Sequence, residues 1–354
     1  CSESCNRKRR KHVNRAAALG QVPCAAFSEE KMELLSPAGN REALVAAIAC
    51  GADAVYLGYT AFGARSYAGN FDADGLRDAV AYAHERGKKI YVTVNTLVKQ
   101  CEMDDLRDVL DLLSDVHVDA VLVQDMGVAR IIQQSYPQLV LHASTQMTIN
   151  NAQGALLMKN MGFSRVVPAR ECSLDELKKM ADVGVEVEAF AHGALCVAVS
   201  GQCLFSSMIG GRSGNRGRCA QPCRLPYTLE DGTSGYLLST KDLMLIDHIP
   251  ELRDAGVYSF KLEGRMKRPE YVGVITRAYR EALDAAEAHV AYHPSKATIE
   301  GLRQVFNRGG FTEGYVMEKS NAALMSWERP NHWGISVGKI ISTKGPLARV
   351  CLTK

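Results

Sequence analysis

From Met32 onward the chain beats between short β-rich runs ending on polar residues or glycine and amphipathic stretches of helical period. The runs are MELLSPAG (32–39), AVYLG (54–58), KIYVTVN (89–95), AVLVQD (120–125), LVLHAS (139–144), RVVPAR (165–170), VEVEAFAHG (185–193) and YSFKLEG (258–264). Between them lie helical patterns such as NREALVAAIACG, DADGLRDAVAYAHERG, EMDDLRDVLDLLSD and SLDELKKMADVG, several opened by Asp, Asn or Ser and closed by Gly. Strands that are apolar on both faces belong in a parallel sheet covered by helices. Eight such units predict an α/β fold of the (β/α)8 TIM-type barrel class, spanning 32–290. A doubly wound sheet would more often use about five to seven strands and open on a glycine-rich turn. SPAGNRE is not a G-x-G-x-x-G, so a dinucleotide site is discarded.

The beat breaks once. Between the seventh and eighth runs the chain inserts a cysteine-rich segment, 192–224, followed by LLSTKDLMLIDHIPELRDAG, the strand-like entry and helix of the seventh unit. An insertion after strand seven lies on the C-terminal face of a parallel barrel, where active sites are built. It holds four of the chain's eleven cysteines, Cys196, Cys203, Cys219 and Cys223, spaced C-x6-C-x15-C-x3-C. Zinc ribbons usually use two short knuckles, and only the second pair resembles one. Iron–sulfur sites accept looser spacing if four thiolates converge. An iron–sulfur centre, zinc and unligated thiols all stay open on spacing alone. Cys50, Cys101 and Cys172 read as buried free thiols.

An odd cysteine count in a chain too long to need staples points to a reducing cytoplasm rather than a disulfide scaffold. No apolar run is long enough for a membrane span, and no signal-peptide core is present. The net charge of +3 does not by itself call for nucleic acid, but RKRRKH (7–12) and GGRSGNRGR (210–218) concentrate basic charge. Residues 1–31 read as a basic flexible tail. Residues 291–354 read as a linker and the start of a small, truncated β-rich domain, from RGGFTEGYV, RPNHWGISVGKI and KGPLARVCL.

Polar residues at strand ends are the candidates for a pocket lining: Asn95, Gln124, Asp125, Ser144, Thr145, Gln146, Arg170, Glu171, Glu188, Glu263 and Arg265 among them. His142 and His192 are acid–base candidates because imidazole titrates near neutrality, with Glu188 beside them on strand seven. Arg65, Arg170 and Arg265 suit bidentate capture of carboxylates. Arg212 and Arg216, with Arg218 and Arg224, either attract phosphate or neutralise a thiolate centre. A cysteine peptidase would pair His192 with Cys196, which leaves three clustered cysteines unexplained, and no H-E-x-x-H is present.

EAFAHGALCVAVSGQCLFS (188–206) with GNRGRCAQPCR (214–224) resembles the signature of the collagenase-like peptidase family U32. LLSPAGNREAL, GADAVYLG, NTLV, HASTQMTIN, STKDL and KLEGRMKRPEYV follow in the family's order, and RPNHWGISVGKI resembles its longer members. The resemblance implies a 4Fe–4S cluster on Cys196, Cys203, Cys219 and Cys223. It also implies hydroxylation at C5 of an RNA pyrimidine without O2, in 23S rRNA cytidine rather than tRNA uridine, with prephenate as hydroxyl source held by the arginines. Collagenase-like peptidase activity, an RNA-binding or scaffold protein with a structural cluster, and a quinone-pathway hydroxylase are the alternatives it leaves. The electron donor and oligomeric state are not legible.

Overall fold

Eight parallel strands close on themselves. They are β1 (Glu33–Pro37), β2 (Ala54–Gly58), β3 (Lys89–Val94), β4 (Ala120–Val123), β5 (Leu141–Ala143), β6 (Arg165–Val166), β7 (Glu186–Ala194) and, beyond the insertion, β11 (Val257–Leu262). Each pairs with the next, and β11 pairs with both β7 and β1, which shuts the barrel. The computed structural model describes residues 31–317 and 322–352; the basic tail expected over 1–31 lies almost wholly outside them. The expected (β/α)8 barrel is therefore the observed one, with all eight strand runs in place.

Helices α1 (Arg41–Ala49), α2 (Ala73–His84), α3 (Met103–Asp115), α4 (Met126–Ser135), α5 (Ala152–Asn160) and α6 (Leu174–Ala181) follow the first six strands. Asn40, Asp72, Asp125, Asn151 and Ser173 cap α1, α2, α4, α5 and α6 by accepting from backbone N–H groups of the first turn. Glu176 completes a capping box with Ser173. Each helix buries one stripe of small and branched side chains against the strands, as Leu106, Val109, Leu110 and Leu113 do on α3. The insertion carries α7 (Phe205–Gly210) and a small hairpin, β8 (Tyr227–Thr228) with β9 (Ser234–Gly235).

Beyond the hairpin, β10 (Asp242–Met244) lies antiparallel on the outer end of β7. Helix α8 (Ile249–Asp254) then leads into β11, and α9 (Pro269–Glu287) completes the eighth unit. After α9, α10 (Lys296–Val305) packs on it, β12 (Phe311–Thr312) adds to β10, and the short α11 (Gly314–Met317) follows. An antiparallel hairpin, β13 (Gly338–Lys344) with β14 (Leu347–Leu352), forms a small β region at the C-terminal side. Among the described residues no helix is long and apolar enough to cross a membrane.

The barrel interior is not purely apolar. At its N-terminal end Arg165, only 2% exposed, is ion-paired to Glu33 (2.6 Å), Glu186 (2.8 Å) and Glu188 (3.1 Å). Lys261 holds the other Glu188 oxygen at 2.6 Å, and Ser259 and Tyr91 donate to Glu33. Every charge in this layer has a partner, the condition under which buried ions are tolerated.

Candidate active site

The C-terminal mouth of the barrel is charged differently. Glu263 follows β11, its backbone N–H donating to the His192 carbonyl (2.9 Å) and its carbonyl accepting from the Tyr271 hydroxyl (3.0 Å). Its carboxylate meets Arg170 at 3.3 Å and Arg65 at 3.6 Å. Arg265, two residues on, is buried and donates to Thr93 Oγ1 at 2.9 Å. Three guanidinium groups thus face one carboxylate. Burial alone would raise the Glu263 carboxyl, but Arg65, Arg170, Arg265 and Lys261 outweigh it and hold it below its ordinary value. Burial pulls the Arg265 guanidinium down to about 10, since it lacks a carboxylate of its own.

Among the described residues, Arg170 Nε, Gln124 Oε1 and Glu171 Oε2 are buried here without a hydrogen-bond partner. Buried polar atoms are normally satisfied, so the Arg170 Nε donor suits an anionic ligand and the two acceptor oxygens suit a hydroxyl on it. The neighbouring polar residues are scaffold. Asn95 accepts from the Ala64 N–H (2.9 Å) and donates to Ser144 Oγ (3.2 Å), tying the loops after β2, β3 and β5 together. Thr145 and Asp125 likewise bind backbone, at the Pro168 carbonyl and at the Gly127 and Val128 N–H groups.

The thiol segment lies over this mouth. Gly217, at φ +78°, packs against the β2–α2 loop, where an added Cβ would come 2.6 Å from the Gly63 carbonyl oxygen. Ser66 donates to the Gly217 carbonyl at 2.8 Å. Arg224 fixes the far end, donating to Ser239, Thr240 and the Leu195 carbonyl. Its guanidinium is therefore a strut between the two ends of the insertion. All four cysteines are free. Burial raises the Cys223 thiol, Arg224 opposes the rise, and Cys196, Cys219 and Cys203 add to it. Glu263 raises the Arg65 guanidinium, burial opposes it, and Cys196, Tyr56 and Cys219 add smaller rises. Among the described residues no three Cys, His, Asp or Glu side chains meet at metal-ligand distance. By donor chemistry the four thiols, with cations beside them, fit a thiolate-ligated centre.

Other expected site residues lie elsewhere. Glu188 is fully buried and spends both oxygens on Arg165 and Lys261, below the mouth. His142 is also inside the barrel, edge-on to Tyr91 (4.9 Å between ring centres) with Nδ1 unpartnered. Burial, then Arg165, Lys261 and Lys89, depress it well below the usual imidazole range. His192 points away from the pocket altogether. The pairing of β7 with β11 skips Ala191, a bulge that flips the strand's alternation after Phe190. The ring is consequently turned into the layer under α9, with Nδ1 3.3 Å from the Tyr279 hydroxyl and Phe311 and Tyr271 packed around it. Period-two reading of β7 cannot see a bulge, so the expectation that His192 lines the pocket is corrected here. Arg216 pairs with Glu102 and donates to the Leu97 carbonyl, while Arg212 stacks on Tyr67.

The family model for peptidase family U32 matches residues 39–326. The chain belongs to peptidase family U32. Among curated relatives, the Escherichia coli 23S rRNA 5-hydroxycytidine C2501 synthase is 39% identical over 92% of this chain and 51% of its own length. The Bacillus subtilis tRNA hydroxylation protein P1 is 39% identical over 72% of this chain and 64% of its own. A Porphyromonas gingivalis collagenase is 36% identical over 88% of this chain and 79% of its own. The chain thus spans about half the length of the first of these relatives and under two-thirds of the second.

Proposed function

We propose that this chain carries the barrel of an RNA hydroxylase that acts at C5 of a pyrimidine without O2. A cytidine of 23S rRNA is favoured over a tRNA uridine, and prephenate is the hydroxyl donor. The observation that carries the reading is the gathering of three guanidiniums at the barrel mouth, Arg65 and Arg170 on Glu263 and buried Arg265 behind them, with the segment that bears four free thiols bonded to the adjoining β2–α2 loop. Two relatives of 39% identity are named for hydroxylating rRNA and tRNA, which supports RNA as the substrate.

In this reading Cys196, Cys203, Cys219 and Cys223 hold a 4Fe–4S cluster, which when bound supplies redox or Lewis-acid chemistry. The remaining work falls to the chain's own side chains. Arg65 and Arg170 hold the carboxylates of the donor bidentately, and Glu263 keeps both guanidiniums aimed at the mouth. Arg265 adds charge from below without a competing carboxylate. The insertion covers the mouth and restricts water, and a base reaches it only when splayed from its stack.

A thiol peptidase finds less support, because His192 faces Tyr279 rather than a thiol. The deciding experiment is nucleoside mass spectrometry of rRNA and tRNA from a deletion strain. Loss of one hydroxylated pyrimidine, restored by the wild-type gene, supports the reading; an unchanged profile overturns it.

A further inference from the structure

We propose that the outer edge of the thiol-bearing insertion is a stacking platform and wedge for unpaired RNA flanking the base that enters the barrel. The inference rests on the RNA reading above. Residues 192–224 contain four arginines and no aspartate or glutamate. Arg224 is used internally and Arg216 is paired with Glu102, whereas Arg212 and Arg218 have no carboxylate partner among the described residues. The guanidinium of Arg212 lies 5.2 Å from the ring centre of Tyr67, itself 56% exposed.

A few residues before Arg212 in the chain, in the last turn of α7, Met208 and Ile209 are 82% and 62% exposed. Gly210 and Gly211 follow, and a Cβ built on either meets nothing within 4 Å, so the tip stands clear of the barrel. Two large apolar side chains held out on a basic tip are costly unless something covers them. The charge around them selects an anionic partner. An aromatic ring backed by a guanidinium plane is a surface on which bases stack, and adjacent apolar side chains can fill the gap left by a displaced base.

A cleft of about 700 Å³ opens next to the tip, between the insertion and the loops after β2 and β3. Its lining includes Ser213 and Arg218 from the insertion and Asp105 and Asp108 from α3. The acids disfavour phosphate there, so the backbone runs along the Arg212–Arg218 edge while bases turn inward.

The test uses the full chain reconstituted anaerobically and a fluorescein-labelled RNA hairpin with a pyrimidine-rich loop, with and without 2-aminopurine beside one loop pyrimidine. Wild-type protein should bind in a salt-dependent manner and change the 2-aminopurine emission. Tyr67→Ala and the double variant Met208→Ser/Ile209→Ser should bind about tenfold more weakly and lose the emission change. Arg212→Gln should lower the salt slope by about one. All are surface changes, and unchanged thermal midpoints separate them from misfolding. If wild type binds and the variants match it in affinity and emission, the platform is overturned while the RNA reading stands. If wild type binds no RNA at low salt, the RNA reading falls first and the platform with it. Variants that bind RNA normally yet fail to restore modification in cells would assign the tip to a protein partner and overturn the proposal.

Discussion

Arg170 reaches across the barrel mouth to Glu263, Nη2 to Oε2 at 3.3 Å, while its Nε is buried with no hydrogen-bond partner among the described residues. The two residues follow β6 and β11, strands separated by β7, so the pair spans the strand to which the Glu263 backbone N–H is anchored through the His192 carbonyl. The Arg170 guanidinium carbon lies over the ring of Phe190, on that intervening strand, 3.9 Å from its centre. A guanidinium held on one edge by a carboxylate, on one face by a ring, and unsatisfied at Nε is oriented but not saturated. That is the state expected of a ligand-binding arginine rather than a structural one.

Prephenate should therefore raise the thermal midpoint of the wild-type protein in proportion to the logarithm of its concentration. Replacing Arg170 by Ala removes a charge-assisted contact and should weaken binding by about 10- to 100-fold, read by calorimetry. Arg265→Met should weaken it less, because its guanidinium already donates to Thr93. Equal affinity for wild type and Arg170→Ala would remove the mouth from consideration as the donor site.

At the opposite end of the barrel the ion network is closed, and its role is stability. Arg165→Ala leaves Glu33 and Glu188 buried with fewer partners and should cost about 3–5 kcal/mol, measured by urea unfolding. Arg165→Met paired with Glu33→Gln removes both charges and should recover part of that loss. If Arg165→Ala unfolds at the wild-type denaturant midpoint, the network is not what holds strands β1, β6 and β7 in register.

This contrast between the two ends explains how much can be read before folding. The eight strands are legible because apolar runs of strand length recur between amphipathic segments, and the insertion is legible as the one break in that recurrence. Arg170, Glu263 and Arg265 are legible as strand-end polar residues and Arg65 as a loop arginine suited to carboxylates, and Arg65 and Arg170 do meet Glu263. Arg165, Glu33 and Lys261 escape notice because a lone charge inside a strand has no local signature; their pairing crosses the barrel between residues far apart in sequence. Glu188 is visible as a polar residue in an apolar strand, but only its partners reveal that both oxygens are occupied. His192 is displaced by a bulge, which is a property of two paired strands and not of either alone.

The displaced His192 gives a pH prediction. Burial pushes its imidazole down to about 3, against an ordinary 6.5. The ring is neutral when folded and takes up a proton when unfolded, so its contribution to stability is complete above about pH 6.5. It is then lost progressively as the pH falls from there towards 3. Nitrogen-15 spectra of the ring should show no titration between pH 5 and 8, and His192→Phe should flatten the acid side of the stability curve. A ring that titrates near neutrality would place it in contact with solvent or substrate after all.

The thiols yield the last prediction. If Cys196, Cys203, Cys219 and Cys223 hold one 4Fe–4S cluster, anaerobic reconstitution should give a brown protein with about four irons per chain. A Ser replacement at any of the four should lower both iron content and visible absorbance. The same replacement at Cys172, buried beneath the Ile149 carbonyl with its thiol pushed up to about 12, should change neither. Because Arg224 struts both ends of the insertion, Arg224→Ala should speed loss of the cluster in air without removing a ligand. Stoichiometric zinc in a colourless protein, or iron unaffected by all four Ser variants, would defeat the assignment. The Arg224 variant matters most here, since it separates a centre that depends on the fold of the insertion from iron bound loosely to exposed thiols.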